Sequence, residues 1–210
     1  MKYSIILSNN ERSYEYLRLL IDKNKIPSFI IHLDFKNINI FRKKIINLIN
    51  NKKINYKSFK TDNVDKKDIE KFIINLRDKI IIYSGYSGKI IKNKSVLKKK
   101  ILLHSHTGKL PNYKGSTTIY YSLINEKKIF CTTFIMNHNI DKGKILLIKR
   151  YPLLKNNKNI DSYDNKIRAQ NILTTLNNFN KLNKSKKNYK DNFSSYYIIH
   201  PVLRYLALKK

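Results

Sequence analysis

The sequence predicts an α/β fold in which an open, mainly parallel sheet carries helices on both faces. The first observation is an alternation of short Ile-rich runs with longer segments whose apolar side chains recur at helical spacing, which indicates βαβ units. The second is that the runs are continuously apolar, as in Ile80–Tyr83, which is typical of strands covered on both faces. At 210 residues the chain is long enough for one such domain and too short for two comfortable ones. We therefore expect a single Rossmann-like sheet.

Strands and helices alternate through the first half of the chain. The helix predicted from residue 11 to residue 23 places Tyr14, Leu17 and Leu20 at helical spacing. The predicted strands are Lys2–Leu7, Pro27–Asp34, Tyr56–Thr61 and Ile80–Tyr83, and the predicted helices are Glu11–Lys23, Ile38–Lys52, Asp65–Asp78 and Ile90–Lys99. A loop that contains Gly85 and Gly88 follows the last of these strands.

The second half continues the pattern into a long helix. The predicted strands are Ile101–His106, Cys131–Met136 and Lys144–Tyr151, and the predicted helices are Ser116–Glu126 and Ser162–Asn180. The last two strands are close in sequence, which predicts an antiparallel pair near one edge of the sheet. We predict a main domain over residues 1–182, a polar loop or linker over 183–194, and a C-terminal segment over 195–210 that docks on the domain.

The composition is strongly basic, with a formal net charge of +30. Such a charge favours an anionic partner. The lysines are nevertheless spread among Asn and Ile, as an AT-rich genome encodes, so codon bias is an alternative explanation. Cys131 is the only cysteine, which excludes an intrachain disulfide. No apolar run reaches the roughly 18 residues of a membrane span, and the apolar N-terminal run is too short for a signal peptide. We expect a cytoplasmic protein without a membrane span.

Two histidines end one of the predicted strands. His104 and His106 are two residues apart, so their side chains point to the same face of the strand. The carboxyl ends of parallel strands border the ligand crevice of an open sheet, and Asp141 lies in a loop that could return there. Two histidines and a carboxylate suit a facial metal triad or an acid–base site for group transfer. They could also be polar residues that happen to end a strand, and the residue types leave these alternatives open.

The segment around the histidines resembles a known signature. Residues 104–115 read HSHTGKLPNYKG, which is similar to the pattern Asn-x-His-Pro-Ser-x-Leu-Pro-x-Tyr-x-Gly of the folate-dependent formyltransferases. On this pattern His106 falls on the catalytic histidine of the family, and His104 stands where the family has Asn. The direct matches after His106 are Leu110, Pro111, Tyr113 and Gly115. The resemblance implies a formyltransferase fold and no metal site.

Two further motifs extend the resemblance. Asp141, Lys142 and Gly143 occupy the position of the family's Asp-x-Gly, before a strand. Upstream, YSGYSGKII is similar to the Gly- and aromatic-containing loop that lines the folate pocket. The resemblance thus implies that 10-formyltetrahydrofolate is the formyl donor. The residues that it implies for folate binding are Gly85, Tyr86, Ser87, Gly88, Ile90, Asn139 and Ile140.

The resemblance also implies roles for the catalytic residues. An amine attacks the formyl carbon, and the resulting oxyanion needs a hydrogen-bond donor while the amine proton needs a route away. His106 would be the donor or acid, and Asp141 would orient or charge it. His104 would replace the family's Asn, which is always a neutral donor, whereas a neutral histidine donates from one nitrogen only. This substitution leaves room for a metal-binding protein or for a degenerate relative that binds without catalysis.

The formyl acceptor is expected to be a small anionic amine. The first loop, Ser8–Ser13, lacks the glycines of a glycinamide-ribonucleotide transformylase, and the residues after Leu154 are too few for the extra domain of a methionyl-tRNA formyltransferase. By elimination we favour an amino-sugar nucleotide over these two acceptors, and a small molecule over nucleic acid. The predicted substrate contacts are Lys109, Tyr113 and Lys114. The sequence does not define the oligomeric state.

Overall fold

The computed structural model describes residues 1–35, 39–86, 91–154, 159–185 and 193–209, and these form two compact units. Unit 1 comprises Met1–His104 together with Met136–His138. Unit 2 comprises Ser105–Ile135 and the described residues from Asn139 onward. The division into residues 1–182, 183–194 and 195–210 stays a prediction.

Unit 1 is built on parallel strands linked by helices. Its elements are β1 Ser4–Ser8, α1 Glu11–Asp22, β2 Phe29–Leu33, α2 Ile40–Asn51, β3 Tyr56–Phe59, α3 Lys67–Asn75, β4 Ile80–Ser84, α4 Lys94–Lys99 and the first residues of β5 Ile101–Thr107. Strand β1 pairs in parallel with β2 and β4, β2 pairs with β3, and β4 pairs with β5. The strand order β3-β2-β1-β4-β5 is therefore that of an open sheet whose parallel strands are joined by crossover connections.

Asparagine side chains begin three of these helices. Asn10, Asn39 and Asn93 each accept a backbone N–H of the first turn of α1, α2 and α4, which satisfies a donor that the helix leaves unpaired. Helix α3 ends earlier than the predicted Asp78, because Leu76 has an extended backbone with ψ 140. Residues Ile6, Ile31, Ile69, Ile73, Ile81 and Leu102 are fully buried in the core of unit 1.

Unit 2 contains the end of β5 and the elements that follow it. They are β6 Lys114–Gly115, α5 Thr118–Glu126, β7 Ile129–Ile135, β8 Lys144–Tyr151, α6 Ile160–Asn177, α7 Phe179–Lys184, β9 Ser195–Tyr196 and α8 Pro201–Leu208. Strands β7 and β8 are antiparallel, with a register shift between Thr133 and Phe134. The short strands β6 and β9 pair in parallel. The predicted helix Ser162–Asn180 is therefore two helices, since α6 ends at Asn177.

The predicted fold class is confirmed. Among the described residues, the main sheet has seven strands in the order β3-β2-β1-β4-β5-β7-β8. Strand β8 lies at its edge and pairs antiparallel with β7, as the sequence predicted. The core of unit 2 includes Ile129, Cys131, Ile167 and Ile199, together with Ala207 of α8. Within the described ranges, no helix combines the length and the apolar composition needed to cross a bilayer.

Candidate functional site

His106 is buried near the end of β5, where hydrogen bonds determine which ring nitrogen carries a proton. The residue is 4% exposed. Its Nε2 lies 2.7 Å from the carbonyl oxygen of Tyr113 and 3.0 Å from the hydroxyl of Thr118. Because a carbonyl oxygen can only accept, Nε2 is the donor and carries hydrogen. The hydroxyl of Thr118 donates to the carbonyl of Thr107, so it also accepts from Nε2.

Asp141 lies on the other side of the same imidazole. Its Oδ2 is 3.5 Å from Nδ1 of His106, and the two side chains are 10% and 5% exposed. The same carboxylate oxygen accepts the backbone N–H of Gly115 at 2.9 Å. The loop of residues 113–118 therefore contacts both His106 and Asp141. In the charged form of His106, each ring N–H faces an oxygen.

The backbone explains the sequence around Asp141. Asp141 has φ 52, a left-handed conformation that Asp and Asn adopt more readily than most residues. Two residues later, a Cβ at Gly143 would overlap the carbonyl oxygen of Ile135 in β7. The Asp-x-Gly motif thus combines a turn with a close backbone approach to a neighbouring strand, and it brings the carboxylate to His106.

A partly buried polar network supports the end of β5, and the sequence did not reveal it. The hydroxyl of Thr107 donates to the carboxylate of Asp164 on α6. Arg168 donates to the same carboxylate at 2.9 Å and to the carbonyl oxygen of Ser105 at 2.9 Å. In sequence, Asp164 and Arg168 resemble an ordinary i,i+4 pair on a helix. In the structure they fix the backbone on both sides of His106.

His104 belongs to unit 1, and its contacts differ from those of His106. Its Nδ1 is 3.0 Å from the carbonyl oxygen of Tyr83, and the two rings are 6.0 Å apart. Because a carbonyl oxygen can only accept, Nδ1 carries a proton and donates it to Tyr83. The catalytic role of His104 in place of the family's Asn stays a prediction.

The predicted folate-binding residues fall in separate parts of the structure. In unit 1, Gly85 directly follows β4, and the hydroxyl of Tyr86 donates to the carbonyl of Phe35 at 2.9 Å. In unit 2, Asn139 and Ile140 are exposed beside Asp141. Ser87, Gly88 and Ile90 lie outside the described residues. Their assignment to folate binding stays a prediction.

The predicted substrate contacts differ in accessibility. Lys109 is exposed, and its ammonium group lies 5.7 Å from the centre of the Phe130 ring. Tyr113 is 5% exposed and Lys114 is 1% exposed. Of the three side chains, that of Lys109 is the one that solvent reaches freely. Across the described ranges, no group of three or more His, Cys, Asp or Glu side chains is placed to hold a metal ion.

The chain matches a family model and curated relatives. A model described as "Formyl transferase" matches residues 18–176. The methionyl-tRNA formyltransferase of Halothermothrix orenii is 32% identical over 101 residues, which cover 46% of this chain and 31% of that protein. The methionyl-tRNA formyltransferase of Orientia tsutsugamushi is 28% identical over 45% of this chain and 31% of its own length. The chain thus aligns with about a third of the length of these relatives.

Solved structures share the fold. A sugar N-formyltransferase from a Shewanella species superposes with a TM-score of 0.68 and 18% identity, over 99% of this chain and 87% of that chain. WlaRD, a sugar 3N-formyl transferase determined in the presence of dTDP and 5-N-formyl-THF, has a TM-score of 0.61 and 22% identity, over 94% of this chain and 69% of that chain. Glycinamide ribonucleotide transformylase 1 of Symbiobacterium toebii has a TM-score of 0.65 and 12% identity, over 86% of this chain and 88% of that chain.

Proposed function

The chain belongs to the formyl transferase family, and from this membership we propose that it transfers a formyl group from 10-formyltetrahydrofolate to the amine of an amino-sugar nucleotide. The family match over residues 18–176 carries the proposal, because that range includes His106, Asp141 and the loop that contacts both. When bound, 10-formyltetrahydrofolate supplies an activated formyl group. Proton transfer and charge stabilisation are left to side chains of the protein.

His106 is the proton-handling group in this proposal. Attack of the amine on the formyl carbon places negative charge on the formyl oxygen and a surplus proton on the amine nitrogen. Nε2 of His106 already donates to Tyr113 and Thr118, so Nδ1 is the nitrogen that exchanges a proton with the substrate. Accepting that proton makes an imidazolium, which the carboxylate of Asp141 stabilises at 3.5 Å. Nδ1 then returns the proton to the nitrogen that loses the formyl group.

The surface beside Asp141 fits a folate donor. Ile140 is 48% exposed, although it directly precedes the proposed catalytic carboxylate. An apolar side chain in that position is stabilised when a flat pterin ring covers it. The neighbouring Asn139 is also exposed and carries an amide that can pair with the polar edge of such a ring.

Three observations support an amino-sugar nucleotide as the acceptor. Sugar N-formyltransferases are among the structures that share the fold, and one of them, WlaRD, was determined in the presence of dTDP. Lys109 is exposed three residues after His106, where its ammonium group can pair with a diphosphate. The net charge of +30 raises the local concentration of any anionic acceptor.

Methionyl-tRNA is a second candidate acceptor. The curated relatives that the chain matches are methionyl-tRNA formyltransferases, and the basic charge suits a nucleic acid. Phosphate contacts make nucleic-acid binding fall steeply with salt, whereas binding of a sugar nucleotide involves few charges and falls less. The salt dependence of KM therefore distinguishes the two acceptors.

The test is an acceptor panel with one donor. The protein is incubated with 10-formyltetrahydrofolate and, separately, a dTDP-linked amino sugar, glycinamide ribonucleotide and methionyl-tRNA, and mass spectrometry follows the gain of one carbonyl unit. We expect formylation of the amino-sugar nucleotide. Formylation of another acceptor in its place would reject the sugar assignment, and the absence of product with all acceptors would reject the function.

A pair of histidine variants controls this assay. His106→Ala removes the proposed proton carrier, and we expect turnover to fall by about 10²–10⁴-fold, the range for loss of a general acid–base group. His138→Ala removes an exposed histidine of the loop before Asp141 and should leave turnover unchanged. Equal rates in the two variants would contradict the role of His106.

A further inference from the structure

The loop that contacts His106 and Asp141 is itself paired with the C-terminal part of the chain. Strand β6 of this loop pairs with β9, with Lys114 opposite Ser195 and Gly115 opposite Tyr196. The backbone N–H of Ser116 donates to the carbonyl oxygen of Tyr196 at 2.9 Å. The family model matches residues 18–176, so β9 lies after the range that this model matches.

Tyr196 contacts the same loop through its ring. The ring stacks on Tyr113 with centroids 5.6 Å apart and an interplanar angle of 15°, and it lies 4.4 Å from the ring of Tyr121 on α5. Tyr113 is the residue whose carbonyl oxygen accepts from Nε2 of His106. The aromatic contact therefore involves the residue that determines the protonated nitrogen of His106.

Gly115 shows how closely the two strands approach. It has φ +100, and a Cβ there would overlap the carbonyl oxygen of Tyr196. Its own N–H donates to Asp141. The pairing of β6 with β9 thus requires glycine at the residue that binds the catalytic carboxylate. Downstream, the backbone N–H of Ile199 donates to the hydroxyl of Thr117 at 2.9 Å, which extends the contact along the loop.

We propose that Tyr196 is a positioning residue for formyl transfer, acting through β6 to hold the carbonyl of Tyr113 against His106 and the N–H of Gly115 against Asp141. This inference rests on the proposed function, since it assigns Tyr196 a part in the geometry of the same site. Tyr196 has no contact with the imidazole in this scheme. Its loss leaves the catalytic groups present and misplaces them, which lowers kcat more than it raises KM.

The experiment compares three variants of the full chain. Tyr196→Ala removes both ring contacts, Tyr196→Phe keeps the ring, and Tyr205→Ala removes a 61% exposed tyrosine of α8 as the matched control. We expect kcat to fall by about 10–100-fold in Tyr196→Ala, as for a misplaced catalytic group. KM for the acceptor should change less than threefold, and Tyr196→Phe and Tyr205→Ala should retain wild-type kcat. A folded Tyr196→Ala variant with wild-type kcat would overturn the proposal.

A second measurement does not depend on turnover. Nitrogen NMR of the histidine rings distinguishes a protonated Nε2 that is hydrogen-bonded to a carbonyl from one that exchanges with water. We expect the His106 signal of the wild type to show the bonded Nε2–H, and Tyr196→Ala to lose it. An unchanged signal in the variant would overturn the positioning role even if the protein formylates none of the acceptors. If Tyr196→Ala does not fold, Tyr196→Leu keeps apolar volume without the aromatic stack, and the same two readouts apply.

Discussion

Replacing Asp141 by Asn removes the negative charge of the side chain and keeps the backbone conformation of the residue. Asn adopts the left-handed conformation at φ 52 as readily as Asp, and its side-chain oxygen still accepts the N–H of Gly115. The change therefore removes the negative charge 3.5 Å from Nδ1 of His106 and little else. Asp22→Asn, at an exposed carboxylate paired with Arg18, is the matched control.

The size of the effect follows from the distance. Two unit charges 3.5 Å apart attract by about 4–5 kcal/mol at an effective dielectric constant of roughly 20. The desolvation of a buried imidazolium offsets part of this attraction. We therefore expect Asp141→Asn to lose about 3–4 kcal/mol of transition-state stabilisation, which corresponds to a fall in kcat of about 10²–10³-fold.

The assay is turnover at saturating acceptor with an isotopically labelled formyl donor, read by mass spectrometry. Thermal unfolding of the same samples shows whether Asp141→Asn remains folded. We expect an unfolding temperature close to that of the wild type, a large loss of kcat, and full activity in Asp22→Asn. A folded Asp141→Asn enzyme with kcat within threefold of the wild type would refute the claim that this carboxylate stabilises a charged His106.

Three further predictions concern stability and reactivity. Gly143→Ala should lower the free energy of unfolding in urea by more than about 2 kcal/mol, because the new Cβ would overlap the carbonyl oxygen of Ile135, a backbone atom with little freedom to move. The hydrogen-bonded guanidinium of Arg42 lowers the pKa of Asp34 to about 2. The stability from this pair is thus present above the ordinary carboxyl pKa of about 4 and is lost as the pH falls to about 2. Arg42→Met should lower the free energy of unfolding by about 1 kcal/mol at pH 7. In urea titrations at acid pH, the difference in unfolding free energy between this variant and the wild type should become smaller. Burial raises the pKa of the Cys131 thiol to about 12, so a maleimide at pH 8 should label it only after urea is added.

The contacts that local sequence determines were predictable. Continuous apolar runs identified β1, β2 and β4 of the parallel sheet, because both faces of these strands are covered. The resemblance to the formyltransferases implied that His106 and Asp141 are partners, and their side chains lie within ion-pair distance in the structure. The first lies in a contiguous motif and the second in a turn whose Asp and Gly meet local backbone requirements.

The contacts that depend on distant parts of the chain were not predictable. Strands β6 and β9 have two residues each, which is too short for any periodicity, and they are far apart in sequence. The proton on Nε2 of His106 depends on a backbone carbonyl, which no side-chain motif encodes. The early end of α3 at Asn75 was missed for a related reason. Lys100 donates to the carbonyl oxygens of Leu76 and Asp78, which stabilises an extended backbone where the apolar spacing favours helix.

The pairing of β6 with β9 has a consequence for synthesis on the ribosome. The loop with Gly115 leaves the exit tunnel long before Tyr196 is translated, so during that interval its backbone lacks the strand that later covers it. A nascent chain that has not reached Tyr196 can contain His106 and Asp141 and still lack the contacts that fix the loop between them. The loop between His106 and Asp141 therefore gains these contacts only after Tyr196 has been translated.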